Sequence, residues 1–315
     1  MKQEQEIELL QNEMERLGYL QSLYAAKLSA LKTVKEESVH SNGMETLKDN
    51  PWYQKTATKK LSVYFHSLGY SITELSTVSE ATNEQSKQLE KLADQIWRCR
   101  HVSKPFIKEL SKQYDKKFIY DMSSLSLEEA NDFLNLCGSL LKMKWISFSK
   151  PVDKHIEITA DIPKEGRYFL SGAWAEIINR KILTNTLQKF ASERGQFSYK
   201  LFWNVKLKKE DSTKINGNDM QLDLVVQLSG GFYIFETKSG YNLAIDKWVD
   251  RTRLFCHDKN RFITCCADEN LSLLVNLPYY LFALPRLEKQ ILDLLERDYP
   301  VQEEAGAQKV QTKPE

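Results

Sequence analysis

The sequence predicts an α/β protein. A helical N-terminal region, a coiled coil plus a winged-helix-like connector, precedes a domain ordered helix, three strands, helix, strand (αβββαβ) around a mixed central sheet. Three observations predict it. Residues 221–228 and 232–238 are apolar runs joined by Ser229-Gly230-Gly231, and glycine in so short a connection between β-rich runs marks a hairpin. Phe197, Tyr199, Leu201, Trp203, Val205 and Leu207 alternate without a break, the period of a strand with one buried face. Ile7, Leu10, Met14, Leu17, Tyr24, Leu28 and Leu31 fall at alternating a and d positions of a heptad, with Gln21 as the one polar a position.

The elements follow in order, over five predicted segments and one linker. Residues 1–36 form the coiled-coil-like helix, which suits a homodimer, although Leu9, Leu20, Leu23 and Val34 widen the stripe enough for packing on the protein's own body. Residues 36–50 are polar and read as a linker. Residues 51–102 are a helical region: Pro51 suits a first helical turn, Gly69 closes that helix, residues 71–86 read as a loop, and residues 87–101 are amphipathic. Residues 103–163 hold the winged-helix-like connector. Pro105 opens one helix there, Ser126-Leu-Glu-Glu129 caps the next, and residues 144–149 and 155–159 alternate as a hairpin. The acidic residues Glu128, Glu129 and Asp132 on its second helix favour a connecting or protein-binding role over groove reading. Residues 164–300 carry the αβββαβ domain, with a long helix over 168–189, a helix over 243–255, strands over 261–267 and 271–276, and a last helix over 284–297. Residues 301–315 read as a disordered tail.

Composition bounds the function. The 315 residues are 42% apolar and 28% charged with a net charge of +1, values of a globular protein whose basic surface must be local. No apolar run approaches a membrane span and the N-terminus is no signal peptide, so a cytoplasmic protein with no membrane partner is expected. Cys99, Cys137, Cys256, Cys265 and Cys266 form no C-x-x-C pair and read as free thiols. The five histidines have no triad context.

The chemistry gathers on the hairpin. Asp223 lies near the start of the first strand and is folded back towards the end of the second. There Glu236 and Lys238, two residues apart, share a face. Buried, such groups are costly unless paired or bound to a metal; exposed, they amount to a cross-strand ion pair. The pattern resembles the PD-(D/E)xK superfamily of restriction-endonuclease-like nucleases, with Leu222 where many members have proline. That resemblance implies a fold of αβββαβ type and a divalent cation, Mg2+ or Mn2+, held by Asp223, Glu236 and the Thr237 carbonyl. Lys238 would then orient the attacking water. The segments Phe169-Leu-Ser-Gly-Ala-Trp-Ala-Glu176, Leu222-Asp-Leu-Val-Val226 and Ile234-Phe-Glu-Thr-Lys-Ser-Gly240 look like the nuclease domain of CRISPR ancillary effector nucleases. The likeness extends over residues 105–300. It implies that Glu176 joins the active centre, although Glu176 can equally be the surface of an amphipathic helix. Residues 1–100 lack the strand-helix alternation of a Rossmann-type sensor, so an activating protein partner is the expected alternative to a cyclic-oligonucleotide trigger.

Lys206, Lys208 and Lys209 precede the hairpin, and Lys247 and Arg251 follow it as an i,i+4 pair. These five are the candidate nucleic-acid contacts, or else solvated charges, Lys247 and Arg251 being neutralised by Asp246 and Asp250. The expectation is a divalent-metal-dependent endonuclease acting on DNA or RNA in defence against foreign nucleic acid. The alternative is a non-catalytic, oligomeric nucleic-acid-binding or scaffold protein on a nuclease-like fold.

Overall fold

The structure, a computed structural model, describes residues 51–77, 84–149, 151–194, 197–210, 219–240, 245–267 and 280–300. The expected coiled-coil helix, the linker, the strand over 271–276 and the tail lie outside the described residues. The chain divides into two compact units, residues 1–73 with 207–220, and residues 74–206 with 221–315.

In the first unit, α1 (Pro51–Ser67) buries Leu61 and Phe65. Gly69 ends it with φ 77, the left-handed geometry that glycine adopts without steric cost, and its N–H is donated to the His66 carbonyl. The following residues are not a loop. Strand β1 (Tyr70–Thr77) begins there and runs into the second unit. Its β-branched Ile72 and Thr73 suit a pleated edge, a preference masked in the sequence by the surrounding Ser and Glu. The Glu210 N–H is donated to the Gly69 carbonyl, and the His66 imidazole lies 2.6 Å from the Glu210 carboxylate.

The second unit is organised around one hydrophobic cluster running from Leu92 to Leu295. Helix α2 (Glu84–Arg98) buries Leu92, Ala93 and Ile96. Helix α3 (Arg100–Leu110) starts upstream of Pro105, which sits inside it rather than opening it, while Val102, Phe106, Ile107 and Leu110 face the core. Strand β2 (Lys117–Asp121) then leads to α4 (Leu127–Lys142), whose Ser126 and Glu129 form a complete capping box. Strands β3 (Ile146–Phe148) and β4 (His155–Ala160) complete a three-stranded antiparallel sheet in the order β2-β4-β3. The hairpin turn carries positive φ at both Asp153 and Lys154, the geometry whose twist matches the strands it joins. Strand β2 escaped the sequence reading because its burial alternates only between exposed and half-buried positions.

Helix α5 (Lys164–Tyr168), a π-helical segment (Phe169–Ala173) and α6 (Trp174–Arg194) replace the single long helix expected there. Strands β5 (Tyr199–Lys209), β6 (Met220–Leu228) and β7 (Gly231–Lys238) follow, then α7 (Ile245–Phe255), β8 (Arg261–Cys266), β9 (Tyr280–Ala283) and α8 (Leu287–Asp298). The six-stranded sheet has the order β1-β5-β6-β7-β8-β9. It is mixed: β6 and β7 pair antiparallel, whereas β8 runs parallel to β7 and β9 parallel to β8. In β5, Asn204 has φ 49, which interrupts the strict alternation; Leu201 and Phe202, adjacent and so on opposite faces, are both buried. No helix among the described residues is long and apolar enough to cross a membrane.

Candidate active site

Strands β6 and β7 bring the hairpin charges together. The β6–β7 ladder runs from Leu228 opposite Gly231 to Leu224 opposite Phe235, and Asp223 and Glu236 are the next residues beyond that end. Ser229 and Gly230 alone form the turn, because Gly231 already pairs with Leu228. Gly231 is required by close approach: a Cβ there would lie 2.8 Å from the Lys259 carbonyl oxygen.

Each charge has defined partners. The Thr237 N–H is donated to Asp223 Oδ2 over 2.6 Å. Glu236 is 4% exposed. Its Oε1 accepts from Lys238 Nζ at 2.8 Å and its Oε2 from Arg251 Nη1 at 2.5 Å. Helix α6 closes the group from one face. Glu176, Asn179 and Arg180 stand at i, i+3 and i+4, one side of that helix. Asn179, buried, donates its amide to Thr237 Oγ1 over 2.8 Å and so fixes the middle of Glu-Thr-Lys. Ser239 donates its hydroxyl to the Ser171 carbonyl over 2.9 Å, which staples the end of β7 to the π-helical segment.

The electrostatics follow from burial. Desolvation first, then the Glu236 and Glu176 carboxylates, push the Asp223 pKa up to about 8, against the opposing effects of the Thr237 N–H and Lys238. Burial likewise raises Glu176, with Glu236 adding to the rise and Lys238 offsetting it. Burial holds Lys247 below the usual lysine range, with Arg251 contributing, while Glu236 and Asp223 pull the other way. Desolvation is thus the dominant cause, and repulsion among the clustered carboxylates adds to it.

The sequence-predicted residues separate into groups. Asp223, Glu236, Thr237, Lys238 and Glu176 are brought together, and Lys247 senses their field. Arg251 is 7% exposed and spends its guanidinium on Glu236; Asp250 pairs instead with Arg253. Lys206 pairs with Glu74 at 2.5 Å. Lys208 and Lys209 are exposed and belong to the other unit. Sequence reasoning missed Asn179, whose i+3 spacing from Glu176 was the available signal. It also missed Tyr168, whose hydroxyl pKa is raised by burial and then by Glu176 and Asp223. Asp223, Leu224, Glu176 and Thr237 line a cleft of about 830 Å³ together with Tyr168, Phe169 and Trp203. Among the described residues, no group of three or more His, Cys, Asp and Glu side chains is arranged as a ready-made metal cage.

No family model matches this chain. No curated protein matches it either. Among solved structures the chain is similar to protein VC1899 from Vibrio cholerae, with 14% identity, a TM-score of 0.47, and 75% of this chain and 60% of that chain covered. It is also similar to Can2 from Sulfobacillus thermosulfidooxidans in complex with cyclic tetra-adenylate, with 13% identity, a TM-score of 0.48, and 75% and 61% covered. The chain spans about three-fifths of the length of each. The functional reading therefore rests on the site itself.

Proposed function

We propose that this protein is a divalent-metal-dependent phosphodiester hydrolase acting on nucleic acid, with Asp223, Glu236 and Lys238 as its centre. The observation that carries the reading is the juxtaposition of Asp223 and Glu236 on adjacent strands with Lys238 on Glu236 and Glu176 in the same field. Holding one buried and two half-buried carboxylates in one place is costly unless something cationic is bound there. The donor set fits Mg2+ or Mn2+, which take oxygen ligands. Asp223, Glu236 and the Thr237 carbonyl would hold the ion, which supplies polarisation of a phosphoryl oxygen and a lowered pKa for water.

The chain's own residues account for the rest. Asp223 must release the proton that its raised pKa retains near neutrality before it serves as a ligand. Asn179 and the Asp223 carboxylate fix Thr237 from its side chain and its N–H. Arg251 anchors one oxygen of Glu236 from behind, so the carboxylate is held in one orientation. Lys238, only half-buried, offers its ammonium to a water or to the charge that develops on phosphorus. Lys247 is exposed and in the same field, and in this reading it would meet the substrate backbone. A role in defence and activation by a partner protein belong to the same proposal.

A second reading has one observation in its favour. Both oxygens of Glu236 are satisfied by Lys238 and Arg251, as in a scaffold whose charges are simply neutralised. Thermal unfolding with Mn2+ separates the two. A metal-binding site predicts stabilisation of about 2.7 kcal/mol at a hundredfold excess over Kd, abolished by Asp223→Ala. A scaffold predicts no shift.

A further inference from the structure

The cleft beside the carboxylates is built for a flat ring rather than for a phosphate backbone. Among the described residues its side chains include the carboxylates Glu90, Glu165, Glu176 and Asp223, but of cations only Lys164 and Arg180. Arg180 is already engaged: it is ion-paired to Glu90 at 2.8 Å, and its guanidinium carbon lies 3.5 Å from the Trp203 ring centroid. Away from a bound divalent cation, such a lining repels phosphate. Its aromatic part, however, is open. Tyr168 is 56% exposed, unusual for so large a ring, and stands at the junction of α5 and the π-helical segment. Tyr168 lines the same cleft as the Glu176 and Asp223 carboxylates. The volume of about 830 Å³ falls in the range of small-molecule sites.

We propose, on the basis of the hydrolase reading above, that this cleft is a base subsite. It receives the nucleobase of a nucleotide flanking the scissile phosphate, stacked on Tyr168 and against the Trp203–Arg180 pair. Every base has a π-face, so the subsite is tolerant of sequence. Within a duplex, neighbouring base pairs cover those faces, and reaching the cleft requires extrusion of the nucleotide. The substrate class is therefore an unpaired nucleic-acid strand.

Binding without turnover tests this, using the full chain carrying Asp223→Asn, which removes a centre of hydrolysis in this account. Fluorescently labelled DNA and RNA single strands are compared with a duplex and with a DNA strand of the same length made abasic. The single strands are expected to bind at least about tenfold tighter than the duplex or the abasic strand. Adding Tyr168→Ala should remove about tenfold of that affinity, while leaving abasic binding unchanged. Tyr168→Phe, which keeps the ring, should retain it. Equal affinity for base-bearing and abasic strands, no binding at all, or no effect of Tyr168→Ala overturns the subsite, whether or not the wild-type chain cleaves. Base-dependent binding by a protein whose wild type shows no cleavage with Mg2+ or Mn2+ overturns the hydrolase reading alone and leaves the subsite standing.

Discussion

Glu236 depends on its neighbours more than any other residue of the site. It is almost wholly buried, and Lys238 and Arg251 each occupy one of its oxygens. Removing one partner of a buried pair leaves a charge without compensation, at a cost of about 3–5 kcal/mol. Arg251→Ala should therefore lower stability by that amount in urea unfolding; a loss below about 1 kcal/mol would mean that Arg251 does not anchor Glu236. Asp223 presents the opposite case. Its pKa is about 8 in the folded chain against an ordinary 3.8, so over that window the folded state holds a proton that the unfolded state has lost. Stability of the metal-free protein should fall as pH rises from about 4 to 8, and this contribution is gone above 8. Urea midpoints at pH 5, 7 and 9 should decline more steeply for wild type than for Asp223→Asn, and parallel declines would remove Asp223 from the buried, repelling group.

At the scale of elements, two local devices fix the frame of the site. The hairpin turn lies against the Lys259 backbone, where Gly231 has no room for a Cβ, and Asn260 accepts the Phe232 N–H over 2.8 Å. Gly231→Ala should cost about 1–3 kcal/mol through overpacking, whereas Gly138→Ala, where no heavy atom lies within 4 Å of an added Cβ, should not. Comparison of the two melting temperatures checks this. The devices also explain what could be read in advance. The hairpin and the α4 capping box rest on contacts between near neighbours in sequence, so glycines at a turn and Ser126 three residues before Glu129 announce them. Strands β1 and β2 are defined by pairing with distant segments, and their half-exposed faces carry no apolar alternation. The start of α3 is set by burial of Val102 and Phe106, which overrides the usual place of Pro105 at a helix start.

For the whole molecule, the site was legible as far as its charges lie on one hairpin. Asp223, Glu236 and Lys238 can be placed from strand period alone. The role of Arg251 cannot, because an i,i+4 spacing from Lys247 says nothing of which one turns inward to a carboxylate. The aromatic cleft was equally hidden, since Trp203 comes from β5 while Tyr168 and Arg180 are separated by the π-helical segment that breaks the single helix expected there. If Asp223 holds the proposed ion, metal and proton compete for its carboxylate, whose pKa is pushed up to about 8. The apparent affinity for Mn2+ should rise by about tenfold per pH unit as pH approaches 8 and level off above it, which calorimetric titration at several pH values measures; a pH-independent affinity would place the ion elsewhere.

The central claim is that phosphodiester hydrolysis takes place on the hairpin carboxylates and needs a divalent cation. Its most direct test is a time course of cleavage of labelled single-stranded DNA and RNA by the full chain in Mg2+ or Mn2+, with and without EDTA, beside Asp223→Ala, Glu236→Ala and Lys238→Ala. The account predicts cleavage that EDTA abolishes and that each substitution lowers by about a hundredfold or more. Cleavage that survives EDTA, or that proceeds at the wild-type rate in all three variants, would contradict it.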